Sequence, residues 1–65
     1  MQVLNQYQIR EKIIRLSYEI LENNPDEDTI ILAGINNSGF RFAELLSNSL
    51  KSITNTKIVL SRLRL

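Results

Sequence analysis

Cysteine and histidine are both missing from these 65 residues. That removes disulfide staples, thiolate and imidazole metal ligands, and Ser-His or Cys-His catalysis within the chain. Neither sign of charge dominates: eight Lys and Arg stand against seven Asp and Glu, a net charge of +1. The basic footprint of a dedicated nucleic-acid binder is therefore absent. Long apolar runs are lacking too. The longest stretch, Ile30 to Ile35, falls far short of the ~20 residues a transmembrane helix needs. The N-terminal MQVLNQYQIR has neither the apolar core nor the cleavage site of a signal peptide. The expectation is a cytoplasmic chain with no membrane partner. What is present is a hydrophobic content of 43% with 23% charged residues, a balance that builds packed structure rather than disorder. A chain this short buries only about 60% of the surface its unfolded form exposes, so it stands at the margin of folding alone.

Proline occurs once, as Pro25, between Asn23-Asn24 and the acidic run Asp26-Glu27-Asp28. Upstream, Ile9, Ile13, Leu16 and Ile20 recur at helical steps, with Ile14 and Leu21 widening the stripe. This predicts a helix from about Gln6 to Asn23. Asn5 is its N-cap, Gln8 completes a capping box, and Leu4 and Ile9 take the hydrophobic-staple positions. Downstream, Thr29-Ile30-Ile31-Leu32-Ala33 is a continuous apolar run, the pattern of a strand buried on both faces in a parallel sheet. Phe40, Ala43, Leu46, Leu50 and Ile53 then return at helical spacing, predicting a second helix from Phe40 to about Ser52. Lys57-Ile58-Val59-Leu60 opens a second strand, and polar and apolar residues alternate from Ser61 to Leu65.

The fold class is α/β: an N-terminal helix followed by a βαβ unit, whose right-handed crossover makes the two strands parallel. A two-strand parallel sheet leaves two edges and one face uncovered, and neither strand centre carries the charges or proline that blunt an edge. Such a sheet is incomplete. Its remaining strands are expected from further chain beyond Leu65, with these 65 residues a single N-terminal fragment of a domain, or from another copy in a homo-oligomer.

In open α/β sheets ligands collect at the carboxyl ends of the strands. Here that end is Gly34-Ile35-Asn36-Asn37-Ser38-Gly39, running into the second helix. Glycines at both ends would let the backbone turn sharply and approach a ligand. The unpaired amides of the helix start would favour phosphate or pyrophosphate, with the Ser38 hydroxyl and the Asn36 and Asn37 amides as further donors. This is no Walker motif, because Phe40-Arg41 stands where Lys-Ser or Lys-Thr is needed. It is no dinucleotide fingerprint either, because Asn36 replaces the second glycine. On spacing alone an ordinary strand-to-helix turn is the better explanation. Asp26-Glu27-Asp28 lies at the opposite end of the sheet and reads as a solvated turn. Arg62 and Arg64 read as the wet side of a strand rather than an RNA contact. Tyr7, Tyr18, Phe40 and Phe42 form no stacking platform; Phe40 belongs to the core stripe of the second helix.

Three segments carry a resemblance: Ile13-Ile14-Arg15-Leu16-Ser17-Tyr18-Glu19-Ile20-Leu21-Glu22, Ile30-Ile31-Leu32-Ala33-Gly34-Ile35, and Gly39-Phe40 with Phe42-Ala43-Glu44-Leu45-Leu46. Together they resemble the N-terminal part of type I phosphoribosyltransferases, most of all the pyrimidine-operon attenuator and uracil phosphoribosyltransferase group, over about Gln8 to Leu65. The resemblance implies an incomplete phosphoribosyltransferase-like, Rossmann-like fold. It also implies a pyrophosphate-binding loop at Gly34, Ile35, Asn36, Asn37, Ser38 and Gly39, acting through backbone amides on phosphoribosyl pyrophosphate. Asn36, Asn37 and Ser38 stand where related proteins commonly carry a basic residue.

The family's acidic strand for ribose and Mg2+, its flexible hood and its base-recognition segment are not among these residues. Transfer of a phosphoribosyl group to a nucleobase, a pyrimidine by this resemblance, needs ribose, Mg2+ and base positioned together. No catalytic residue and no metal ligand are therefore assigned here. Mg2+ is implied for the parent enzyme and not for this chain alone, which is expected to be inactive by itself. The alternative is a non-catalytic regulatory or self-association module, with RNA contact as in some members of the group.

Overall fold

The computed structural model describes residues 5–63. Helix α1 runs Gln6–Asn23, strand β1 Thr29–Gly34, helix α2 Asn37–Ile53 and strand β2 Lys57–Arg62. The α1 start follows the expected chemistry. Asn5 Oδ1 accepts from the Gln8 amide at 2.9 Å, and Gln8 Oε1 accepts from the Asn5 amide at 3.1 Å, so two otherwise orphaned donors satisfy each other. The staple residue Leu4 lies outside the described residues. At the far end the Asn24 side chain donates to the Ile20 carbonyl at 2.8 Å and its amide to Leu21 at 3.3 Å, after which Pro25 cannot continue the helix.

β1 and β2 pair in parallel, Thr29 opposite Lys57 through Gly34 opposite Arg62, with α2 as the crossover. Alternation along the strands sends Ile30, Leu32 and Ile58 to the α2 side. There Leu46 and Leu50 meet Ile13 of α1 in the core, Leu50 with no exposed surface. Burying each such aliphatic side chain is worth about 1.5–3 kcal/mol. α1 docks on α2 and not on the sheet. At that seam the fully buried Ser17 hydroxyl bonds the Ile13 carbonyl at 2.8 Å and shares a 2.8 Å hydroxyl–hydroxyl bond with Ser49, so its polarity costs little.

One expectation is corrected here. β1 reads from its sequence as buried on both faces, yet only the α2 face is covered. Ile31 is 67% exposed and Ala33 is exposed, because both helices lie on the same side of a two-strand sheet. The alternation after Ser61 is described only as far as Leu63; Arg64 and Leu65 lie outside the described residues. Among the described residues no helix is long and apolar enough to cross a membrane.

Candidate functional site

The carboxyl end of β1 passes into α2 through two residues only, Ile35 and Asn36. Asn36 is the N-cap of α2: its backbone is extended at φ −130° and ψ 179°. Its Oδ1 accepts from the Gly39 amide at 2.7 Å, and its carbonyl accepts from the Phe40 amide at 2.8 Å. The helix therefore starts at Asn37 and not at Phe40. Asn37, Ser38 and Gly39, expected in a loop, form its first turn. The correction has a plain cause, since Asn, Ser and Gly favour turns and helix N-caps through the same short polar side chains.

Of the amides in that turn, those of Gly39 and Phe40 are taken. Among the described residues, the amides of Asn37 and Ser38 have no hydrogen-bond partner, and both residues are exposed. These are the orphan donors that every helix start leaves, carrying the positive end of the helix dipole. Replacing Asn36 by alanine is expected to cost about 1 kcal/mol of stability and to release a third amide, that of Gly39. Thermal unfolding of the variant, followed by circular dichroism, measures the first effect.

The glycines serve a different purpose from the one expected of them. Neither has a positive φ, so neither is needed for a sharp turn. Gly34 is needed for close approach: a Cβ there would lie 2.4 Å from both the Cα and the amide nitrogen of Phe40, and 2.8 Å from the Gly39 carbonyl carbon. The strand end and the first turn of α2 are in backbone contact. A Cβ at Gly39 would meet Asn36 Oδ1 at 3.2 Å, Gly34 Cα at 3.8 Å and Asn36 Cγ at 4.0 Å.

Arg62 is exposed, as expected, but it is not an isolated side chain. It pairs in register with Gly34, and its guanidinium lies over the Phe40 ring, 4.1 Å from the centroid. It is thus on the helix-bearing side of the sheet at the same carboxyl end, stacked on an aromatic ring as guanidinium groups favour. The Gly34 carbonyl accepts from the Leu63 amide at 3.0 Å, tying the two strand ends together. Sequence spacing had no means of joining Arg62 to Phe40, because the strand register alone brings them together. Asp26, Glu27 and Asp28 fall between α1 and β1, at the opposite end of the strands. A cleft of about 650 Å³ between α1 and α2, floored by Ile9, Ile13 and Leu45, is a separate feature on the far side of α2 from the sheet.

The donor set at the turn does not suit a dedicated Mg2+ site. Its side-chain oxygens are neutral, Asn36 Oδ1 is already engaged, and among the described residues no three acidic side chains converge anywhere. Magnesium sites use carboxylates together with substrate phosphates.

No protein-family model matches the chain. Among curated proteins it is similar to the bifunctional protein PyrR of Streptococcus pneumoniae. The proteins of strains CGSP14, G54 and JJA are each 33% identical to it over 57 residues, covering 88% of this chain and 33% of the relative. The chain thus spans about a third of the length of the curated relatives it matches. The resemblance carried by the helix, strand and turn segments holds at this level, and the order of helix, strand, helix and strand around a two-strand parallel sheet is the α/β arrangement expected of it.

Proposed function

We propose that this chain is the N-terminal portion of a phosphoribosyltransferase-like domain, with residues 34–39 receiving the pyrophosphate of phosphoribosyl pyrophosphate. The observation that carries the reading is the pair of unpartnered amides, Asn37 and Ser38, at the carboxyl end of a parallel strand, in a chain similar to PyrR. Anions settle at such helix starts because donors and dipole act together. Recognition by backbone amides also tolerates the neutral Asn36-Asn37-Ser38 sequence. The acceptor is a nucleobase, a pyrimidine on the strength of the similarity, and the compartment is the cytoplasm. Ribose hydroxyls, Mg2+ and the base need groups that residues 34–39 do not supply, so the chain alone is inactive. The rest of the domain, or a second copy, completes the sheet; RNA is not the partner favoured by a net charge of +1.

Two measurements test this. With phosphoribosyl pyrophosphate, Mg2+ and uracil, the chain alone is expected to release no pyrophosphate; catalytic release would refute its inactivity. In titrations with inorganic pyrophosphate, the Asn37 and Ser38 amide resonances are expected to shift first. Unmoved amides at millimolar ligand would refute the loop assignment. One observation favours a second reading: the open sheet face around Ile31 suits a non-catalytic self-association module.

A further inference from the structure

We propose that the outer face of α1 is a self-association surface whose occupant is α1 of a second copy of this chain, packed antiparallel. Tyr7, Ile14 and Tyr18 are 70%, 43% and 51% exposed. With Glu11 they follow steps of four, three and four, so all four lie within an arc of about 60° on the helix. This spacing is the seam of a helix pair. It is separate from the stripe of Ile13, Leu16, Ser17 and Ile20 that α1 turns towards α2.

Charge selects the occupant and its direction. Glu11 and Arg15 flank Ile14 on one side, both are exposed, and neither has an ion-pair partner among the described residues, where the one pair is Arg41 with Glu44. A two-fold axis between positions 12 and 13 sets Tyr7 against Tyr18 of the second copy. It brings Glu11 within about one residue's rise, ~1.5 Å along the axis, of Arg15 of the second copy, and the symmetry repeats the pair. A parallel arrangement would instead set Glu11 against Glu11. The antiparallel contact is closed and isologous, with the same residues used on both sides. An acidic or a basic partner would answer only half of this pattern. Three apolar side chains per copy bury less than a standard interface of ~800 Å² per partner, so the dimer is expected in the high-micromolar range. The contact lies on the far side of α2 from the sheet and does not depend on the function of residues 34–39.

Sedimentation velocity on the full chain, from micromolar to millimolar concentration, tests the proposal. Glu11→Arg alone and Arg15→Glu alone should each weaken self-association about tenfold by facing like charges. Their equimolar mixture should associate again, because each variant supplies the charge the other has lost. Ile14→Ser should abolish association with helix content kept. Three results would overturn it: a monomer throughout, association indifferent to both charge variants, or a mixture no stronger than its components. The second of these would move the contact to the open sheet face.

Discussion

Gly34→Ala is expected to destabilise the fold by about 3 kcal/mol or more, the upper range for forcing volume into a packed site. The reason is local and specific. The added methyl carbon would sit 2.4 Å from the Phe40 Cα and amide nitrogen, and backbone atoms cannot rotate aside as a side-chain tip can. Relief requires α2 to lift from the end of β1. That separation would disturb the Leu46 and Leu50 contacts with the sheet and part Phe40 from Arg62. A chain of this length holds on the order of 3–10 kcal/mol in total, so the loss is comparable with the whole. Thermal unfolding followed by circular dichroism should show a midpoint lowered by more than about 10 °C, or no cooperative transition. Gly39→Ala provides the contrast. Its methyl group meets Asn36 Oδ1 at 3.2 Å, a tight contact, while alanine gains about 1 kcal/mol of helix propensity over glycine. The two effects nearly cancel, and the variant should stay within about 1 kcal/mol of the parent. Equal stability of Gly34→Ala and the parent would mean that the strand end and helix start are not in backbone contact.

The same two glycines show where sequence reading succeeds and where it stops. Helix α1 is legible to the residue, because Asn5, Gln8 and Pro25 each have one dominant local effect and the apolar stripe between them has a single period. The α2 start is not, because Asn36-Asn37-Ser38-Gly39 suits a turn and a capped helix alike. Only the Asn36 side chain accepting from Gly39 at 2.7 Å decides between them. Gly34 is correctly placed at the critical turn, but for a different reason. Its requirement comes from Phe40, six residues on, and close approach across a tertiary contact leaves no local trace. The uncovered face of β1 was legible as the missing half of a sheet. It was not legible at Ile31 itself, since a run of Ile, Ile and Leu looks the same whether its second face is covered or open. Arg62 belongs to the same class: its partner is fixed by the parallel register with Gly34, and β-strand residues carry no sequence signal for what lies across the ladder. Local signals were thus sufficient for the order of the elements and for placing residues 34–39 where β1 passes into α2. Which amides remain open, and which groups are stacked beside them, came from packing.

Because the open amides belong to the backbone, proline tests the site with little confounding by stability. Asn37→Pro deletes the Asn37 donor at the first helical position, where proline is favoured and no intrahelical bond is lost. The preceding residue must be extended, and Asn36 already is, at φ −130° and ψ 179°. Stability should hold, or rise by about 0.4–1 kcal/mol through a stiffer unfolded chain. Pyrophosphate affinity should fall about tenfold or more, since a hydrogen bond to a charged group is worth about 1.5–3 kcal/mol. Asn37→Ala removes the side chain, keeps the amide, and should bind as the parent does. Calorimetric titration of all three chains with inorganic pyrophosphate separates the cases. Loss in both variants would assign recognition to the Asn37 side chain. Undiminished binding by Asn37→Pro would place the anion away from this amide and remove one of the two open donors on which the pyrophosphate reading stands. Loss in the proline variant alone, with its unfolding midpoint unchanged, would trace the affinity to a donor that the Asn36 cap leaves open, the Asn37 backbone amide at the carboxyl end of β1.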